Sequence, residues 1–306
     1  MGFRPAQFAN WNQWSAYVFQ HPPTGTGCFV VTYPSTAWEV SVCTTVPTVP
    51  VNVGDGYSDK TAQAPSGKII GNSIGLFQSI SGLTSESDSV RGTNYYSLQV
   101  NSQRFTTSTT YTGGKSATGW EQFLFLNNPG SSYSSVYIEY FLIGYYTTYH
   151  TCPTTGPPGG TKWMQDSSGD CYATSAGASS VPHESASSIY ELSLGGFANS
   201  GQSGNDEVLL CVFGGSCYSV SLTEHVLDLY KSWQDSEFNV FGYCCNSQAN
   251  FNSGTSWTLW NSLEDQNYNV IVPSCVSTSY TGETNNLNLG SCSPNSGGRI
   301  VYTESN

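Results

Sequence analysis

The sequence predicts an all-β protein: an antiparallel two-sheet β-sandwich of the concanavalin or jelly-roll kind, disulfide-stapled, with one short helix. Three observations carry this. Short runs rich in aromatic and β-branched residues recur between Gly/Ser/Asn turns, as in Val136-Tyr137-Ile138-Glu139-Tyr140-Phe141-Leu142. Helical periodicity is scarce, so a βαβ arrangement is disfavoured. Only 10% of residues are charged while 14% are aromatic, a folded rather than a disordered composition.

Residues 1–66 hold strand-like runs, Cys28-Phe29-Val30-Val31-Thr32-Tyr33 and Trp38-Glu39-Val40-Ser41-Val42, and then a Pro- and Gly-rich stretch from residue 44. That stretch reads as a linker or long loop before a main sandwich over 67–306, with one domain over 1–306 as the alternative. Tyr96-Ser97-Leu98-Gln99-Val100-Asn101 alternates apolar against polar, as a half-buried strand does. Residues 152–186 form an irregular excursion. The predicted helix spans about 221–234: Ser221 and Glu224 make a capping box, and Leu222, Val226, Leu229 and Trp233 fall on one face.

The ten cysteines, an even number, predict disulfides made in an oxidising, extracellular compartment. Spacing pairs Cys28 with Cys43, Cys152 with Cys171 and Cys275 with Cys292. A bond between neighbouring Cys244 and Cys245 would be strained, so each is expected to reach Cys211 or Cys217. No CxxC spacing supports zinc at these thiols. A net charge of −12 with nine scattered basic residues argues against nucleic acid and anionic membranes as partners. No apolar run of about 18 residues occurs, so no spanning helix is expected. The start of the chain lacks a hydrophobic signal region, which suggests a mature form with an added Met.

Several motifs could carry chemistry. Gly71-Asn72-Ser73-Ile74-Gly75 matches GxSxG, yet that nucleophile needs a strand-to-helix elbow this chain does not offer. Four histidines show no metal spacing, and Asp55 with Asp59 reads as a turn more readily than a calcium loop. No cofactor or metal is expected. Carboxylates set among aromatics in strands remain: Glu121, Glu139, Glu191 and Glu237. By strand alternation Trp120, Gln122, Leu124 and Leu126 share one face while Glu121, Phe123 and Phe125 share the other. Tyr137, Glu139 and Phe141 share a face of the next strand. A Gln and a Glu on neighbouring positions can activate a water and polarise a carbonyl. Two Glu can instead cleave a glycosidic bond.

At these residues the chain resembles the glutamic peptidases of the fungal eqolisin type, a secreted, acid-active β-sandwich family. Gln122 followed by Tyr137-Ile138-Glu139-Tyr140-Phe141 is similar to its catalytic Gln and the aromatic strand after it. Ser236-Glu237-Phe238-Asn239-Val240-Phe241 is similar to the strand of its catalytic Glu, which falls on Phe241, four residues after Glu237 on the same strand face. Asn10 to Val18 is similar to its N-terminal strand. Gly119-Trp120…Gln122-Phe123 and Thr281-Gly282-Glu283-Thr284-Asn285-Asn286-Leu287 are similar, more closely, to secreted microbial proteins of unassigned function.

The resemblance implies an acid-acting endopeptidase in which Gln122 positions water and oxyanion, Glu237 is base then acid, and Glu139 supports them. Trp120, Tyr137 and Gln99 would line the substrate groove. The expected partner is a polypeptide or polysaccharide substrate. Twenty Tyr and eight Trp make a carbohydrate-binding or -cleaving sandwich the second expectation. A non-catalytic, self-assembling secreted protein is the third.

Overall fold

Strands of the computed structural model, which describes residues 10–46, 59–199, 205–222, 225–278, 285–295 and 297–306, form two large sheets and a small three-stranded one. The main strands in chain order are β1 (Gly27–Thr32), β2 (Asp59–Gln63), β3 (Ile70–Ser81), β4 (Tyr96–Ser102), β5 (Ala117–Asn127), β6 (Ser134–Ile143) and β7 (Cys171–Thr174). They continue as β8 (Leu192–Ala198), β9 (Asp206–Val212), β10 (Ser216–Leu222), β11 (Asp235–Gly242), β12 (Ser256–Asp265), β13 (Ser274–Thr278), β14 (Asn288–Asn295) and β15 (Arg299–Ser305). The ten-stranded sheet runs β1-β10-β9-β8-β3-β12-β15-β14, with Glu39–Ser41 outside β1. The eleven-stranded sheet runs β7-β6-β5-β4-β11-β2-β13, with Met164–Gln165 outside β7. Pairing within them is antiparallel. The chain is therefore an antiparallel all-β sandwich, as its composition and alternation predict.

One hydrophobic core lies between the sheets. Leu98, Val100, Phe123, Phe125, Ile138 and Tyr140 enter it from one side, and Leu194, Val208, Leu210, Leu259 and Tyr302 from the other. Two glycines set how closely the sheets approach. A Cβ on Gly75 would stand 2.0 Å from the Phe238 ring, and one on Gly196 would stand 2.3 Å from the Phe123 ring. Both rings are fully buried and have nowhere to move. Gly75→Ala is expected to lower stability by about 1–3 kcal/mol through overpacking, read as a shifted denaturant midpoint. An unchanged midpoint would show that the sheets can separate at low cost.

The GxSxG stretch is thus a packing motif. Ser73 lies inside β3, donates to Asn261 Oδ1 at 2.7 Å and accepts from Ser236 Oγ at 2.7 Å, bridging the two sheets. No elbow exposes it.

Two expectations about helices are corrected. Among the described residues of 221–234 there is no α-helix: Ser221 and Leu222 end β10, Glu224 lies outside the described residues, and a 3₁₀ turn follows at Leu229–Lys231. The four apolar side chains are buried as the stripe predicts, but a different backbone delivers them. Its polar groups are satisfied from outside. Asp206 Oδ2 accepts from Val226 N at 3.0 Å, while Thr109 and Thr107 hydroxyls donate to the carbonyls of Val226 and Leu227 at 2.8 and 2.6 Å. A helix would have met those groups internally. The segment that resembles an N-terminal strand is instead helix α1 (Trp11–Gln20), capped by Asn10, whose side chain accepts from Gln13 N at 3.1 Å. Trp11, Trp14 and Val18 recur at helical spacing and pack with Val31, Phe197 and Leu209 on the outer face of the ten-stranded sheet.

Three disulfides form as spacing predicts: Cys28–Cys43, Cys152–Cys171 and Cys275–Cys292. The expected bonds of Cys244 and Cys245 do not form. Cys211 pairs with Cys217, directly opposite on the β9–β10 hairpin, and Cys244 and Cys245 are free thiols. Cys211 and Cys217 sit with α1 on the outer face of one sheet, and Cys244 clusters with Leu124 and Phe241 on the outer face of the other. Packed sheets stand about 10 Å apart, beyond the ~7 Å that a disulfide spans between Cα atoms. Four disulfides fit an oxidising compartment. No helix among the described residues is long and apolar enough to cross a membrane.

Candidate functional site

The outer face of the eleven-stranded sheet collects Gln122, Glu139, Glu237, Trp120, Tyr137 and Gln99. Strand alternation puts Phe123 and Phe125 into the core and turns Trp120, Gln122 and Leu124 outward. Register then aligns the outward residues of neighbouring strands. Glu139 on β6 faces Gln122 on β5, Gln122 faces Asn101 on β4, and Asn101 faces Glu237 on β11. Thr174 flanks Glu139 at one end, and Thr61 flanks Glu237 at the other. Two carboxylates thus enclose two carboxamides in one straight row.

The adjoining rows hold the remaining residues. Tyr137, Leu124, Gln99 and Asn239 face one another on one side. Trp120, Phe141 and Tyr172 do so on the other and form a buried aromatic cluster. Phe241 lies four residues beyond Glu237, roughly 13 Å along the strand, beside Ser97. Of those two positions, Glu237 is the one aligned with Gln122.

Hydrogen bonds fix this face. Gln122 Nε2 donates to Gln99 Oε1 at 2.8 Å, Gln99 Nε2 to Ser97 Oγ at 2.7 Å, and Ser97 Oγ to the Gly242 carbonyl at 2.9 Å. Asn101 Nδ2 donates to Glu237 Oε2 at 3.2 Å. Gln122 Oε1, Asn101 Oδ1 and the Tyr137 hydroxyl are buried with no hydrogen-bond partner among the described residues. Buried polar atoms without partners are uncommon and mark positions where water or a ligand can bond. An amide nitrogen has two hydrogens, so Gln122 keeps one beyond that given to Gln99. Glu139 is 0% exposed and Glu237 5%, which makes Glu237 the carboxylate of the row nearer to solvent.

A third carboxylate reaches this site from the opposite sheet. Glu304 on β15 accepts from Asn239 Nδ2 and Trp257 Nε1, each at 2.8 Å. Burial pushes its pKa up to about 7. Those hydrogen bonds oppose the rise, and the nearby Glu237 charge adds to it.

The other strand carboxylates lie elsewhere. Glu121 points between the sheets, fully buried, where burial and then the charges of Asp206 and Asp228 hold its pKa well above the usual carboxylate range. Beside it, Asp206 Oδ1 lies 2.8 Å from His225 Nδ1. Asp59 is buried in β2, and Asp55 lies outside the described residues. No cluster of metal-ligating side chains occurs among the described residues.

Asn101 and Glu304 were missed by sequence reading. Asn101 is two residues from Gln99 and so shares its face, a signal that was present. Glu304 comes from the far end of the chain, and nothing local marks it. Together the fold and site define a disulfide-stapled antiparallel sandwich with a carboxylate–carboxamide row on one outer face. Comparison with family models, with curated proteins and with solved structures finds no match for this chain.

Proposed function

We propose that the protein is a secreted, acid-acting hydrolase of the glutamic-peptidase kind, with Gln122 and Glu237 as its working pair. The observation that supports this is the single row Glu139–Gln122–Asn101–Glu237 on one sheet face. In this reading the Glu237 carboxylate takes a proton from a water whose oxygen attacks the peptide carbonyl carbon. The remaining N–H of Gln122 donates to the oxyanion that develops. Glu237 then returns the proton to the leaving nitrogen as the C–N bond breaks. Asn101 orients Glu237 by its hydrogen bond, and Glu139, directly beside Gln122, supports the carboxamide.

A two-carboxylate glycosidase built from Glu139 and Glu237 has less support from the strand spacing. They stand three strand intervals apart, roughly 14 Å between backbones, whereas paired glycosidase carboxyls lie about 5–9.5 Å apart. Gln122 and Glu237 are two intervals apart, with Asn101 between them and bonded to Glu237.

The test is digestion of a denatured protein from pH 2 to 7 by wild type, Glu237→Gln, Glu139→Gln and Gln122→Ala. Acid cleavage that Glu237→Gln and Gln122→Ala both lose, at equal folded fraction, supports the assignment. No cleavage by the wild type at any pH sinks it.

A further inference from the structure

We propose that the outer face of the ten-stranded sheet carries a saccharide-binding groove built around Trp260, on the side of the sandwich away from the carboxylate–carboxamide row. A cavity of about 470 Å³ lies there between α1 and strands β3 and β12. That volume falls within the range of about 300–1,000 Å³ usual for small-molecule sites. It is lined by Ile74, Leu76, Trp260 and Ser262 of the sheet and by Asn12 and Ser15 of α1.

The indole is held as a platform. Trp260 faces Leu76 across the β3–β12 pair, with Gln78 and Ser262 on the same outer face. Its Nε1 donates to Gln78 Oε1 at 2.6 Å. The Arg299 guanidinium covers one face of the indole, 3.7 Å from the ring centroid. An aromatic ring fixed by its edge and one face loses little freedom when a ligand stacks on it. Such bracing does nothing for the core, because Trp260 lies outside it and is only half-buried.

The lining selects the ligand class. A pyranose presents a C–H face, which suits an aromatic ring, and a rim of hydroxyls that both donate and accept. Asn12, Ser15, Gln78, Ser193 and Ser262 supply carboxamide and hydroxyl partners around the ring. Glu264 adds a carboxylate acceptor, itself held by Asn72 Nδ2 at 2.9 Å. An anionic ligand would meet that carboxylate and a chain of net charge −12. A lipid tail would desolvate the amides and hydroxyls without bonding them. An uncharged sugar chain meets neither cost.

The probes are cellohexaose, laminarihexaose and chitohexaose, followed by tryptophan fluorescence and calorimetric titration of the full chain. Binding of at least one is expected, weakened at least about tenfold by Trp260→Ala and less by Trp260→Phe, which keeps a ring. Ser15→Trp fills the cavity from the helix side and leaves every residue of the sheet unchanged, and it should abolish binding in a protein whose circular dichroism is unchanged. No binding of any probe by the wild type overturns the inference. Wild-type affinity in folded Trp260→Ala and Ser15→Trp overturns it too. Neither result depends on Gln122 or Glu237, so peptide cleavage can fail while the groove stands.

Discussion

Glu237→Gln is expected to lower kcat/KM for acid cleavage of a denatured protein by about 10²–10⁴, the usual contribution of a general acid–base group. The substitution keeps the side-chain shape and leaves an oxygen to accept from Asn101 Nδ2, now at 3.2 Å from the carboxylate. The loss should therefore come with little change in stability. Gln122→Ala should lose about 10²–10³, the worth of one oxyanion donor. It also removes the donor to Gln99 Oε1 inside a buried network, at a cost of about 1–3 kcal/mol. Rates must accordingly be compared at equal folded fraction. Retention of wild-type kcat/KM in folded Glu237→Gln would take the base role away from this residue, and the same measurement on Glu139→Gln would show whether the carboxylate directly beside Gln122 holds it.

Stability should fall as pH rises from about 4.5 to 8. Glu207, fully buried on β9, has its pKa pushed up to about 8 by burial, with the Ser219 hydroxyl bonding its carboxyl and lowering it in part. Glu304 is raised to about 7. Both are raised above the unfolded value, so the folded chain holds protons that the unfolded chain gives up. Their contribution is fully present below about pH 4.5, where both states are protonated. It is lost as pH rises through the folded values. A rise from 4.5 to about 8 at Glu207 corresponds to roughly 5 kcal/mol if fully realised. Thermal melting at pH 4, 6 and 8 should show a falling midpoint. Glu207→Gln imitates the protonated acid, so it should raise the midpoint at pH 8 and flatten the profile. Equal midpoints at pH 4 and pH 8 in the wild type would refute this account.

The face that holds the site was legible because a strand's side chains alternate with period 2. From Trp120-Glu121-Gln122 alone, Gln122 had to share a face with Trp120 and Leu124, and it does. Where α1 forms, the helical signal was also in the sequence, since Trp11, Trp14 and Val18 recur at helical spacing behind an Asn cap. Resemblance to a strand outweighed it. At 221–234 the opposite happened: an apolar stripe matched a helix, but Asp206, Thr107 and Thr109 offered the backbone other partners. Those residues lie far away in the chain, so no local pattern could reveal the competition.

By itself the sequence determined the class of fold, which residues share a face of the strands at the site, and three of the four disulfides. All of these follow from local periodicity or short spacing. Register decided the rest. Gln122 meets Glu139 across a hairpin, but Asn101 and Glu237 join the row only because β4 lies between β5 and β11. The sandwich likewise parted Cys244 from Cys211 by placing them on opposite outer faces. Which strands become neighbours is settled by burial of the whole apolar surface at once, and that is a property of the folded chain rather than of any segment in it.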